Sequence, residues 1–110
     1  MLKMAMSRAA AELLRALLER TGEQSHKVLL RDIRSVDWQS LTFTGETHSM
    51  RLRVLGPNAL RLVRRLTLGL GDWEFSIPGH LVADIAVARA PAAALDGSVT
   101  LAIEALTIAD

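Results

Sequence analysis

The stretch LTFTGETHSMRLRVLGPNALRLVRRLTLGLG, residues 41–71, changes its apolar period once, and that change decides the fold. Leu41 and Phe43 alternate with Thr42 and Thr44, and Met50, Leu52 and Val54 alternate with Ser49, Arg51 and Arg53. Side chains on a strand point to alternate faces, so period two predicts two half-buried strands. They flank Gly45-Glu46-Thr47, where the glycine would supply the turn or bulge of a β-hairpin. Beyond Gly56-Pro57-Asn58 the period becomes helical. Proline suits a first helical turn because its missing N–H would lack a partner there anyway. Ala59, Leu60, Leu62, Val63, Leu66 and Leu70 then share one arc, and Arg61, Arg64, Arg65 and Leu68 the other.

Upstream, Ser7 to Thr21 reads as a second amphipathic helix. Met6, Ala10, Leu13, Leu14, Leu17 and Leu18 occupy one side, Arg8, Glu12, Arg15 and Glu19 the other, and Gly22 is the natural stop. Val28-Leu29-Leu30 begins a strand that continues through Ile33. Downstream, Trp73, Phe75 and Ile77 alternate again and run into Ile77-Pro78-Gly79-His80, a type II turn pattern. That turn either closes a hairpin or bends one long strand. Leu81 to Ala88 is apolar apart from Asp84, Pro91 to Gly97 reads as a loop, and a last strand starts at Val99 and persists through Ile108. The order helix, strands, helix, strands predicts an α+β fold. Residues 1–110 form a single domain with a mainly antiparallel sheet of about 4–6 strands, packed by two amphipathic helices.

Two helices can cover one sheet face. The stretches Leu81–Ala88 and Val99–Ile108 are apolar at both parities, which predicts that the second face is buried as well, most simply in a homodimer.

Composition narrows the function classes. The chain has 110 residues, 50% of them hydrophobic and 4% aromatic, with no cysteine and no tyrosine. That excludes disulfides, thiolate metal sites and thiol nucleophiles. Mean hydropathy is +0.24. Even so, the longest stretch without Asp, Glu, Lys or Arg runs only from Phe75 to Ala83, far short of the ~20 residues of a spanning helix. Glu12, Arg15 and Glu19 interrupt the only N-terminal candidate for a secretory signal, so a cytoplasmic location is expected. Arginine outnumbers lysine eleven to two, a bias expected of a GC-rich bacterial genome.

The net charge of +1 hides a separation. Thr47–Gly71 carries five arginines and no acid, whereas Asp72–Asp110 carries six acids against Arg89 alone. Either the two regions neutralise each other, within one chain or across a dimer, or the first is an anion-binding face. The neutralising reading is preferred, because the elements of one small domain lie close together.

Three constellations could carry chemistry. Glu46 and His48 are two apart, and His80 and Asp84 four apart, which on regular strands places each pair on one face. Imidazole with carboxylate could hold a divalent metal or run acid–base catalysis if the pairs converged. No His-Glu-x-x-His pattern supports this, and histidines near turns are more often structural. Arg51, Arg53, Arg61, Arg64 and Arg65 could bind a nucleic acid or a phosphate-bearing ligand. Against nucleic acid stand a modest pI of 8.4 and the lack of aromatics beside the arginines. Gly69-Leu70-Gly71 follows a helix instead of opening one, so it is no phosphate loop.

The expected function is therefore that of a non-catalytic binding or assembly module, acting as a homodimer and needing no cofactor. A metal-binding or acid–base enzyme domain using Glu46, His48, His80 and Asp84 is the first alternative. Nucleic-acid or phospholigand binding through the arginine face is the second.

Overall fold

Ser7 starts the first helix, α1 (Arg8–Glu19): its backbone is extended and its Oγ accepts from the Ala10 amide at 3.1 Å. Such a cap supplies about 1 kcal/mol. The helix buries Ala9, Ala10, Leu13, Ala16 and Leu17, while Arg15 bridges Glu12 and Glu19 on the solvent side. The structure, a computed structural model, describes residues 6–109. A short 3₁₀ segment, Gly22–Lys27, leads into β1 (Val28–Gln39). There follow β2 (Thr44–Val54), α2 (Ala59–Thr67), β3 (His80–Val87), β4 (Ala92–Ala93) and β5 (Val99–Ala109). The sheet runs β1-β2-β5-β3, antiparallel throughout, with two-residue β4 also paired to β5. This is the α+β fold with a mainly antiparallel sheet that the residue pattern predicts. No helix among the described residues is long and apolar enough to cross a membrane.

β2 and β3 both run antiparallel to β5, hence parallel to each other, so their connection must cross the sheet. α2 is that crossover, and it lands on the same face as α1. The inner face stacks Val54 opposite Val99, Leu52 opposite Leu101 and Met50 opposite Ile103, with Val28 and Leu30 of β1 alongside. Leu13 and Leu17 of α1 and Leu62, Val63 and Leu66 of α2 close over these rows. Each fully buried aliphatic side chain contributes roughly 1.5–3 kcal/mol of transfer free energy, so this single layer of contacts carries the fold.

The hairpin differs from expectation in where it turns. Gly45-Glu46-Thr47 lies within β2, and the reversal is made by Ser40–Phe43. Ser40 decides this: its Oγ accepts from the Phe43 amide at 3.0 Å, and its own amide donates to the Phe43 carbonyl at 2.8 Å. Leu60, placed by periodicity on the buried arc, is 63% exposed, because the arc centred on Ala59, Leu62, Val63 and Leu66 leaves it on the flank. The Trp73–Ile77 segment forms no strand beyond the bridge between Ile77 and His80. Trp73 and Phe75 instead pack edge-to-face at 4.5 Å.

Gly45 has a different role from the turn it was expected to make. It sits between Trp38 and Ile108 in the ladder, and a Cβ there would lie 2.0 Å from the Thr107 carbonyl oxygen. Backbone meets backbone, so no side-chain movement relieves the clash. Gly45→Ala should therefore destabilise the domain by about 3 kcal/mol or more, whereas exposed Thr47→Ala should change it by less than about 0.5. Denaturant unfolding of the two variants checks this; equal midpoints would refute the close approach.

Candidate functional site

The inner face is not wholly apolar. His48 is 1% exposed and stands in the middle of it, opposite Ala105 on β5 and Ser35 on β1. Its Nδ1 lies 2.7 Å from Ser35 Oγ and its Nε2 2.8 Å from Thr107 Oγ1. A neutral imidazole has one donor and one acceptor nitrogen, so one hydroxyl donates and the other accepts. Both nitrogens are thus occupied. Burial lowers the His48 pKa below the ordinary imidazole value, with Glu46 opposing and His80 adding to the shift.

Glu46 and His80 lie further along the same side, where β2 and the start of β3 extend past the helices. They line a recess of about 330 Å³ together with Asp37, Gln39 and Thr44. Asp84 does not join them. A bulge at Ala83 shifts the β3 register, so His80 pairs with Ala109 while Asp84 pairs with Leu106, three residues away. That odd offset sends the two side chains to opposite faces, correcting the one-face placement expected from their spacing of four. Asp84 lines a separate recess on the outer face with Thr47, Ser49 and Glu104. Among the described residues, no group of three or more His, Asp or Glu is arranged to hold a metal ion.

The five arginines also separate. Arg51 and Arg53 project from the outer sheet face, opposite the helices. Arg51 Nε donates to Asp32 at 2.8 Å, and Arg53 Nη2 contacts Asp96 at 2.6 Å. The hydrogen bonds from Arg51 hold the Asp32 carboxyl below its ordinary pKa, and those from Ser98, aided by Arg53, do the same for Asp96. Arg61, Arg64 and Arg65 lie on the outward side of α2, on the other side of the molecule, with no acidic partner in bonding range among the described residues. Among the described residues, the expected neutralisation of the basic stretch by the acidic one is therefore made at Arg53–Asp96 alone. Arg51 takes its partner from β1, and the α2 arginines take none there.

The outer face is graded from one end to the other. Successive cross-strand rows are Leu29–Arg53–Thr100, Asp32–Arg51–Ala102, Arg34–Ser49–Glu104–Ala86, Val36–Thr47–Leu106–Asp84 and Trp38–Gly45–Ile108–Leu81. Thr100 of the first row and most of the next two line a groove of about 470 Å³ that Arg89 also lines. The last two are mostly apolar, with Val36 50% and Leu81 57% exposed. The apolar excess expected along the whole second face is concentrated at this end, Leu29 being the large apolar side chain exposed at the other.

Ser35 and Thr107 were not singled out by sequence reasoning. Thr107 does carry a signal, being a hydroxyl at a core parity between Leu106 and Ile108. A buried histidine needs two such partners. Compared with known proteins, the chain matches no family model and no curated relative.

Neutral His48 makes the domain sensitive to acid. Because its folded pKa is lowered, stability is complete above the unfolded imidazole pKa of about 6.5 and declines below it. The loss is up to about 1.4 kcal/mol per pH unit until the folded pKa is reached. Asp32 and Asp96, also shifted down, add their losses only near and below about pH 4. Thermal unfolding between pH 7.5 and 5 should show the decline, and His48→Gln should flatten it. An unchanged slope in the variant would assign it to other groups.

Proposed function

We propose that the chain is a binding or assembly module without catalysis of its own, which pairs as a homodimer through the outer face of its sheet. The observation that carries this reading is the composition of that face. No element among the described residues covers it, and its two terminal rows present Val36, Trp38, Leu81, Leu106 and Ile108, with exposed Phe43 and Leu41 at the neighbouring hairpin tip. Within or beside these rows stand Arg34, Arg89, Asp84 and Glu104, two bases and two acids without ion-pair partners among the described residues. A two-fold axis brings identical surfaces together, so a patch holding both signs of charge beside an apolar area is suited to meet its own copy.

The splitting of His80 from Asp84 favours this reading over the enzyme alternative, which needs them together. We propose a cytoplasmic location for the module, whose 110 residues include no cysteine.

Light scattering coupled to size exclusion, at roughly 10 µM protein, tests the proposal at an ordinary micromolar affinity. The expected mass is twice the 12.0 kDa of the chain. V36E combined with L81E, both at exposed positions, should give a folded monomer. A monomeric wild-type protein, or a dimeric double variant, would remove the outer face from the account.

A further inference from the structure

We infer that the outward side of α2 docks on the surface of an anionic phospholipid bilayer. Solvent-facing helix sides are ordinarily polar, yet this one sets Leu60 and Leu68, 63% and 79% exposed, beside Arg61, Arg64 and Arg65. At helical spacing Leu60 and Arg64 form one line, which Leu68 continues past the helix end, and Arg61 and Arg65 form the adjacent line. The result is an apolar strip bordered by three guanidiniums that no acid neutralises among the described residues. Guanidiniums at phosphate level with leucines at the acyl boundary is the arrangement by which a helix lies in a bilayer interface.

The far end of this strip is fixed in place. Arg20, from the end of α1, donates through Nε to the Arg65 carbonyl at 3.1 Å and through Nη2 to the Leu68 carbonyl. Its guanidinium lies 4.3 Å from the Trp73 ring centre. Leu68 is thereby held outward by a buttress of backbone hydrogen bonds and a stacked indole. Arg20, Arg65, Leu68 and Trp73 together line a recess of about 350 Å³, which presents cationic and apolar groups side by side, as a phosphate headgroup and the start of its acyl chains require.

The same contacts argue against a nucleic acid. Single-stranded bases are held by stacking on open aromatic faces. Trp73 is the one aromatic residue among the described residues that lines this recess, one face of its ring is taken by Arg20 and it packs edge-to-face with Phe75. Exposed leucines offer nothing to a phosphate backbone but suit an acyl boundary. Because α2 lies across the sheet from the outer face, this docking is independent of self-association.

Co-sedimentation of the full chain with vesicles provides the test. Binding is expected to vesicles containing roughly a third phosphatidylglycerol, to weaken with added salt, and to be absent on phosphatidylcholine alone. Each arginine near such a surface is worth about a fivefold change in partitioning, so R61Q with R64Q and R65Q should lower binding about a hundredfold. L60S with L68S should lower it at least tenfold while leaving the salt dependence in place. All five positions face solvent, and circular dichroism verifies the fold of each variant. The V36E and L81E monomer should bind vesicles as wild type does, which separates this inference from the dimer. Equal binding to both vesicle types, no binding to either, unchanged binding of the triple variant, or displacement from vesicles by single-stranded RNA would each overturn it.

Discussion

The pairing of β2 with β5 is the constraint on which the rest of the structure depends. These two central strands place Leu52 against Leu101 and Met50 against Ile103, and every other element is positioned by what they leave to be covered. α1 and α2 both pack on that inner surface, α2 because it must cross from β2 to β3 over the intervening β5. Among the described residues both helices lie on one face of the sheet. One-sidedness therefore follows from connectivity, and the character of the opposite face becomes the principal clue to what the protein does.

Polar groups on the inner face obey the same constraint. His48 occupies a row that could have held another aliphatic, and it is tolerated because Ser35 and Thr107 reach it from the strands on either side. Three strands must be in register for this to work, so the network reports on the alignment of β1, β2 and β5 at once. The bulge at Ala83 has a comparable reach. By inserting one residue it keeps Val82 and Ile85 toward the core and turns Asp84 outward, where a carboxylate can be hydrated.

Much of the architecture was legible in the residues. Period two in Met50–Val54 and Val99–Ile103, and the switch at Pro57, place the central strands and α2 because those segments bury one side only. A serine hydroxyl closing a reversal leaves a weaker mark in sequence than a glycine, so Ser40 is less conspicuous than Gly45, whose task is close approach to Thr107. The spacing of four between His80 and Asp84 places them on one face only if the strand is regular. A single inserted residue inverts that rule, and nothing in Leu81-Val82-Ala83-Asp84 advertises the bulge. The arginines show the same limit in another form. Charge counts along the chain identify which residues are basic, but only the fold separates Arg51 and Arg53 from the α2 ridge by the thickness of the molecule.

The central claim is that the uncovered sheet face is completed by a second copy of the chain. Isotope-filtered nuclear Overhauser spectra on an equimolar mixture of labelled and unlabelled protein test it at the level of individual methyl groups. The account predicts intermolecular contacts among Val36, Leu81, Leu106 and Ile108, and none from Leu60 or Leu68. Intermolecular contacts confined to the α2 leucines, or a mixture showing none at concentrations where the protein is fully folded, would contradict it.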